Sequence, residues 1–285
     1  MPFAHFTELL KDAQKGKYAV GAFNIFNIEN LHSIVEVAEE EKSPVILQIN
    51  PIHFHHTAVS AFLHYVKEVV HWSKVPIALH LDHAKDLKTI MNAIKYGFPS
   101  IMYDGSHLPY EENISRTKQM VDLCHPIDIT VEAELGKLID NAQEITEDNR
   151  KQFFTDPEDA NEFVAVTQID ALALSIGNAH GFYNGEPNLD FARLKTIRKK
   201  TDAPLVLHGG SGIPNADIKK AISLGICKIN IYTEMGANVD TRLRKIYSER
   251  NESLDMSFVF GEIREGIKAV VREKIRLFGS AGKGA

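Results

Sequence analysis

Eight short apolar runs, each followed by a longer stretch of helical period, constrain this chain more than any other feature. The runs are Tyr18 to Phe23, Val45 to Ile49, Pro76 to Leu81, Ser100 to Tyr103, Ile127 to Glu132, Ala171 to Ser175, Pro204 to Leu207 and Lys228 to Ile231. Most are too short for an α-helix, are bounded by Gly, Pro or Asp, and read as apolar on both faces, which is the pattern of strands in a buried parallel sheet. Amphipathic helices are expected between them at about Ile28 to Glu41, Ala58 to Ser73, Asp86 to Tyr96, Tyr110 to Cys124, Pro157 to Thr167, Asp190 to Lys199, Asn215 to Leu224 and Glu234 to Tyr247. Asp156-Pro157 and Pro214-Asn215 are helix-start signals, since proline tolerates the first turn, where its missing N–H costs nothing. Eight strand-helix pairs without a linker predict one (β/α)₈ TIM barrel spanning 1–285. A doubly wound open sheet would give the same alternation; the count favours the barrel.

Two segments depart from the repeat. Leu138 to Phe154 is polar, acidic and weakly periodic, which suggests a mobile flap rather than an ordinary turn. Ser257 to Phe278 is an extra C-terminal helical segment, expected to pack on the barrel or on a second subunit, and the Gly/Ser-rich tail 279–285 is expected to be flexible. A formal charge of −6 and a pI near 6.1 give no electrostatic case for nucleic-acid binding. The two cysteines, Cys124 and Cys227, make no disulfide framework and no C-x-x-C pair. The opening residues lack a signal-peptide pattern, and no window approaches 18 apolar residues, so a soluble, cytoplasmic protein without membrane partners is expected.

In a barrel of this kind the site forms at the carboxyl ends of the strands, so the residues that follow each run matter most. Asp82-His83 follows the third, Asp104 the fourth, Glu132 and Glu134 the fifth, His180-Gly181 the sixth, His208-Gly209-Gly210-Ser211 the seventh and Asn230 to Thr233 the eighth. His83, His180 and His208 suit a three-nitrogen metal site with a position left open for substrate. Zinc fits best, with cobalt, manganese or iron also compatible. Asp82 beside His83 is the candidate for proton chemistry. The run His208 to Gly212 exposes backbone N–H groups near a helix start at Pro214, and Asn230 and Thr233 add donors, so a phosphate is expected there. Glu134 and Asp104 are candidate ligands of the metal or of a second cation; each could equally cap a segment or orient a ligand histidine. Of the flap carboxylates Glu144, Glu147 and Asp148, one could close over substrate as a base. His53, His55 and His56 read as ordinary structural or solvated histidines.

Taken together, Leu79 to His83, Ser100 to Ser106, Val131 to Gly136, Gly177 to Gly181, Leu205 to Gly212 and Lys228 to Glu234 resemble the ordered motifs of class II, metal-dependent ketose-bisphosphate aldolases, a resemblance that runs from about Tyr18 to Phe278. It implies a TIM barrel that reversibly cleaves a ketose phosphate or bisphosphate, fructose- or tagatose-1,6-bisphosphate-like, to dihydroxyacetone phosphate and an aldehyde through a zinc-stabilised enediolate. By the same resemblance His83, His180 and His208 are the zinc ligands. Asp82 is the acid/base at the C4 hydroxyl, and Glu144 is the group that moves the proton on the dihydroxyacetone-phosphate carbon. Gly181, Gly209, Gly210, Ser211, Asn230, Ile231, Tyr232, Thr233 and Asn24 are the substrate contacts. The resemblance further implies a monovalent cation beside the phosphate, with ligands unassigned, and a homodimer or homotetramer.

The chain departs from the family pattern at Ala84, where glycine usually follows Asp-His, at Asn178, where threonine is common, and at Asp140-Asn141-Ala142, where glycines often loosen the flap. These departures leave the flap base and the aldehyde half open. Two other readings use the same residues: a metal-dependent sugar-phosphate epimerase or isomerase, and a non-catalytic aldolase-like subunit.

Overall fold

The computed structural model describes residues 3–55, 58–138, 153–181, 183, 185, 187–250 and 253–284. Eight parallel strands close into a barrel in sequence order, with the last paired to the first. They are β1 (Val20–Asn24), β2 (Val45–Ile49), β3 (Ile77–Ala84), β4 (Ser100–Tyr103), β5 (Thr130–Leu135), β6 (Ala171–Leu174), β7 (Leu205–Leu207) and β8 (Ile226–Ile231). Around them run α2 (Ile28–Glu40), α3 (Val59–Trp72), α4 (Leu87–Tyr96), α5 (Tyr110–Cys124), α6 (Pro157–Thr167), α7 (Phe191–Lys200), α8 (Asn215–Ser223), α9 (Thr233–Glu249) and α10 (Met256–Phe278), and α1 (Phe6–Gly16) precedes β1. The expected repeat is therefore present. Local chemistry explains several helix starts: Asn27, Asp86 and Asp156 each accept a hydrogen bond from a backbone N–H of the first turn, and Pro157 occupies the first helical position.

Period-2 alternation sorts the strands into two apolar sets. Leu47, Leu79, Leu81, Val131, Leu172, Leu174, Leu205 and Leu207 point outward into the large core under the helices. Val20, Ala22, Ile46, Ala78, Ala171, Ala173 and Val206 point inward and pack with α1. That helix was not anticipated, although Phe6, Leu9, Leu10 and Ala13 carry its buried stripe. It plugs the amino-terminal mouth: Phe6 stacks on His80 at 4.6 Å between ring centroids, 6° from parallel. Strands apolar on both faces are thus found only in the lower barrel. Toward the carboxyl ends the inward positions become Asn24, Gln48, His80, Asp82, Glu132, Glu134, His208, Lys228 and Asn230, all buried.

Two further expectations are corrected. The fifth strand begins at Thr130 rather than Ile127, because Pro126 lies in a 3₁₀ turn over His125–Ile127 and Asp128 is left-handed (φ 58°); it runs on to Leu135, so Glu134 as well as Glu132 lies within the strand. The tail is docked, not loose. Ser43 Oγ donates to Ser280 Oγ at 2.9 Å, and the Gly282 and Gly284 N–H groups donate to the Glu41 and Lys42 carbonyls at 2.8 and 2.7 Å. Of the two placements open for the C-terminal helical segment, packing on the barrel is the one that α10 takes. It packs on α2 and α9, and Arg276 reaches Glu41 at 2.8 Å. The proposed flap lies outside the described residues from 139 to 152, while its flanks meet through a 2.8 Å bond from Lys137 N–H to the Phe153 carbonyl. Among the described residues, no helix is long and apolar enough to cross a membrane.

Because Phe6 is 2% exposed and fills the barrel floor, Phe6→Ala is expected to destabilise the chain by about 3–5 kcal/mol. Chemical denaturation checks this; a loss below about 1 kcal/mol would mean that α1 does not close the barrel.

Candidate functional site

Asp82 and His83 reach the same cavity because β3 bulges. In a regular strand consecutive side chains face opposite ways. Here the register shifts between Leu81 and Ala84, and His83 takes φ 47°, a left-handed conformation uncommon for a residue with a Cβ. The result brings His83 Nε2 to 3.7 Å from Asp82 Oδ1. Asp82 is buried and held by three amides. Asn24 Nδ2 and Asn50 Nδ2 donate to Oδ2 at 3.1 and 3.3 Å, and Asn230 Nδ2 donates to Oδ1 at 3.2 Å. Burial alone would raise its pKa; His83, His208, Lys228 and the Asn24 hydrogen bond overcome that penalty and bring it down to about 2. Asp82 is therefore a carboxylate at neutral pH.

The three histidines converge. Ring centroids lie 4.7 Å apart for His83 and His208, 4.9 Å for His83 and His180, and 6.4 Å for His180 and His208. Carboxylates back two of them. Asp104 Oδ2 accepts from His83 Nδ1 at 3.1 Å, while Glu132 and Glu134 meet His208 at Nε2 (2.9 Å) and Nδ1 (3.1 Å). Ligand atoms of His83, Glu134 and His208 lie within 4.8 Å of one another. Glu134 thus joins two of the expected imidazoles on the buried side, and His180 stands beside them on the open side. Asp104 sits behind His83, its other oxygen taken by Ser106 at 3.2 Å from the backbone N–H, a placement that orients the imidazole. Burial lowers the His208 pKa, but its hydrogen bonds to the Glu132 and Glu134 carboxylates outweigh that and raise the value to about 9. The surrounding protein, then repulsion from His83 and His208, bring the His180 pKa down to about 3.

Beneath these groups lies a charge that sequence reading missed. Lys228 is fully buried and its Nζ sits 2.9 and 3.1 Å from the two oxygens of Glu132. That ion pair holds the Glu132 pKa below the usual carboxylate range despite burial. Below it His80, whose pKa burial lowers to about 3, bonds Ser100 Oγ through Nδ1 at 2.7 Å. Lysine and glutamate at inward, period-2 positions of two strands were the available signal.

A loop rich in backbone N–H groups closes the other side. Gly209 has φ 63°, and a Cβ there would lie 1.9 Å from the Ala179 carbonyl oxygen, so only glycine fits. Tyr183 Oη accepts from Ala179 N–H and donates to the Gly209 carbonyl, both at 3.0 Å, which ties the loops after β6 and β7 together. Asn178 supports the same junction by donating to the His208 carbonyl at 3.1 Å. The cavity is lined by Asn24, Asp82, His83, His180, Gly181, Gly209, Ser211, Asn230, Tyr232 and Thr233, joined by Gln48, Asn50, Ile52 and His53. Of the remaining expected contacts, Gly210 packs against Ile229 and Asn230, and the Ile231 side chain belongs to the outer core. His53, read from sequence as an ordinary histidine, lies 4.9 Å from Phe26 and 5.7 Å from Tyr232, ring to ring, at the rim. Glu144, Glu147, Asp148 and His56 lie outside the described residues.

Comparison with known proteins agrees with this geometry. The sequence profile of a family described as fructose-bisphosphate aldolase class-II matches residues 4–283. Among solved structures, the YdjI aldolase from Escherichia coli K12 is 40% identical, with 99% of this chain and 100% of that one covered and a TM-score of 0.89. A Coccidioides immitis protein solved as a candidate fructose-1,6-biphosphate aldolase is 30% identical, with 98% and 97% covered and a TM-score of 0.88. The fructose-bisphosphate aldolase of Campylobacter jejuni, 23% identical with 97% and 94% covered and a TM-score of 0.81, shares the fold.

The donor set fits a divalent metal, since two imidazoles are already oriented by carboxylates and a third stands on the open side. An incoming ion must displace the proton that His208 holds up to a pH of about 9. Zinc affinity of the metal-free chain is therefore expected to strengthen as pH rises, by roughly tenfold per unit for each proton displaced, and to level off near pH 9. Competition with a chelator across pH 6.5 to 9 measures this; a flat profile would remove His208 from the ligand set.

Proposed function

The chain belongs to the class II fructose-bisphosphate aldolase family, and we propose that it reversibly cleaves a ketose phosphate or bisphosphate to dihydroxyacetone phosphate and an aldehyde. The observation that carries this reading is the meeting of an ionised, amide-held Asp82 with three imidazoles in a cavity that the glycine loop also lines. His83, His180 and His208 would hold the metal, zinc first among the candidates, with Glu134 as a further donor on the buried side. Such a metal supplies Lewis-acid stabilisation of the negative charge that carbon–carbon cleavage leaves on the three-carbon fragment.

The chain's own residues account for the rest. Asp82 accepts the C4 hydroxyl proton as the aldehyde leaves and returns it in condensation. The amides of Asn24, Asn50 and Asn230 keep that carboxylate aimed and charged. The N–H groups of Gly181, Gly209 and Ser211, with Asn230 to Thr233, bind the phosphate of the ketose fragment, while the Gly210 N–H donates to the Asn230 carbonyl at 3.3 Å and holds the loop against β8. Buried Oδ1 of Asn230 and Oε1 of Gln48 have no hydrogen-bond partner among the described residues and offer acceptors to substrate hydroxyls. Glu144 is the proposed base for the carbon proton of dihydroxyacetone phosphate. Two or four copies are the proposed assembly.

Coupled detection of dihydroxyacetone phosphate, with a panel of ketose phosphates and with or without chelator, tests the reaction class. Metal-loaded protein is expected to release it from at least one member and to stop on chelation; no release from any would count against the aldolase reading. Asp82→Ala is expected to keep metal and lose roughly 10²–10⁴-fold in kcat, whereas His180→Ala is expected to weaken metal binding as well. Equal metal loss in both variants would mean that Asp82 is a ligand rather than the acid/base.

A further inference from the structure

We propose that Lys85 recognises an anionic group, carboxylate or phosphate, at the far end of the aldehyde half of the substrate. This rests on the aldolase reading above. A second cavity of about 460 Å³ opens on the side of His83 and His180 away from the phosphate loop. It shares Asn50, Ile52, His83 and His180 with the first cavity, of about 150 Å³, and contains none of the glycine-loop residues. With the ketose phosphate end taken up by the loop, the remaining carbons beyond C4 must extend past the metal histidines into this larger space. Its volume lies within the range of small-molecule sites and exceeds what a two- or three-carbon aldehyde fills.

Charge then decides what the far end carries. Lys85 is the only lysine or arginine lining either cavity among the described residues. Three carboxylates among the described residues line the two cavities, and each is already committed. Asp82 is held by its amides. Asp104 accepts from His83 and Ser106. Asp86 caps α4, with Oδ1 and Oδ2 accepting from Thr89 N–H and Oγ1 at 2.8 and 2.9 Å. That cap also removes the α4 N-terminus as an anion site. Lys85 itself is only loosely engaged: its side chain is 63% exposed and its Nζ lies 4.0 Å from Asp104, beyond hydrogen-bonding distance. Among the described residues the cavity is therefore lined by one ammonium, with donors to spare, which matches one anionic group. An aldehyde ending in a hydroxymethyl group would leave that charge unused.

The test compares acceptors matched for chain length and ending in hydroxymethyl, carboxylate or phosphate, each condensed with dihydroxyacetone phosphate by metal-loaded enzyme. The readout is the ratio of kcat/KM for the anionic over the neutral acceptor, within each variant. Any effect of Lys85 on His83 through Asp104 then cancels. The ratio is expected to favour an anionic acceptor in the wild type and to fall roughly tenfold or more in Lys85→Met. Lys85→Glu should lower it further and Lys85→Arg should largely restore it. The arm with the larger Lys85 dependence identifies carboxylate or phosphate. A ratio equal in wild type and Lys85→Met would overturn the proposal.

A binding arm separates this outcome from failure of the aldolase reading. Calorimetric titration of the metal-loaded chain with an aldonate, and with the matching alditol, needs no turnover. Preference for the aldonate that disappears in Lys85→Met supports the anion site even without condensation; no preference in the wild type overturns it.

Discussion

The ion pair of Lys228 with Glu132, buried inside the barrel, is the interaction on which the polar upper half depends. Burying either charge alone costs several kcal/mol, and attraction in the low-dielectric interior repays it only when the partners meet well. Here they meet at 2.9 and 3.1 Å. The pair works in two directions. Upward, Glu132 stays ionised and takes one nitrogen of His208, which turns the other nitrogen toward Glu134 and the metal donors. Downward, the Lys228 ammonium sits 5.9 Å from the centre of the Phe6 ring, which itself stacks on His80. The helical plug, the buried charges and the candidate metal donors thus form one column inside the barrel.

A second constraint is the backbone at His83. A straight strand could present Asp82 or His83 to the cavity but not both. The bulge and the left-handed His83 solve this at a cost of about 1–3 kcal/mol, which the bond to Asp104 and the packing of Ala84 against β4 help to offset. Ala84, a departure from the family pattern, is fully buried within this paired segment. Asn178, the other departure in the described residues, hydrogen-bonds the His208 carbonyl and so has a structural role in the site.

Much of this was legible in the sequence because parallel strands must be apolar outward and chemistry must gather at their carboxyl ends. Those two rules located Asp82, His83, His180, His208 and the glycine loop. Other features escaped for physical reasons. Helix α1 has an apolar stripe but no strand partner in the repeat, so it looked like a terminus. The β5 start was misplaced because Ile127 and Ile129 look strand-like, while Pro126 and a left-handed Asp128 spend those residues on a turn. The tail read as loose from its glycines, but two backbone bonds and the Ser43–Ser280 contact dock it. Lys228, Gln48 and Asn50 were passed over because a polar residue inside a strand is informative only once its inward face is known.

In the proposed reaction Asp82 serves the aldehyde side, while the candidate metal donors serve the three-carbon fragment. Deuterium exchange into dihydroxyacetone phosphate alone, followed by NMR in heavy water, isolates the second half and needs no knowledge of the aldehyde. Stereospecific exchange of one hydrogen by metal-loaded enzyme is expected, lost in His208→Ala and on chelation but retained in Asp82→Ala. Absence of exchange in the wild type, or its loss in Asp82→Ala with metal still bound, would contradict the account.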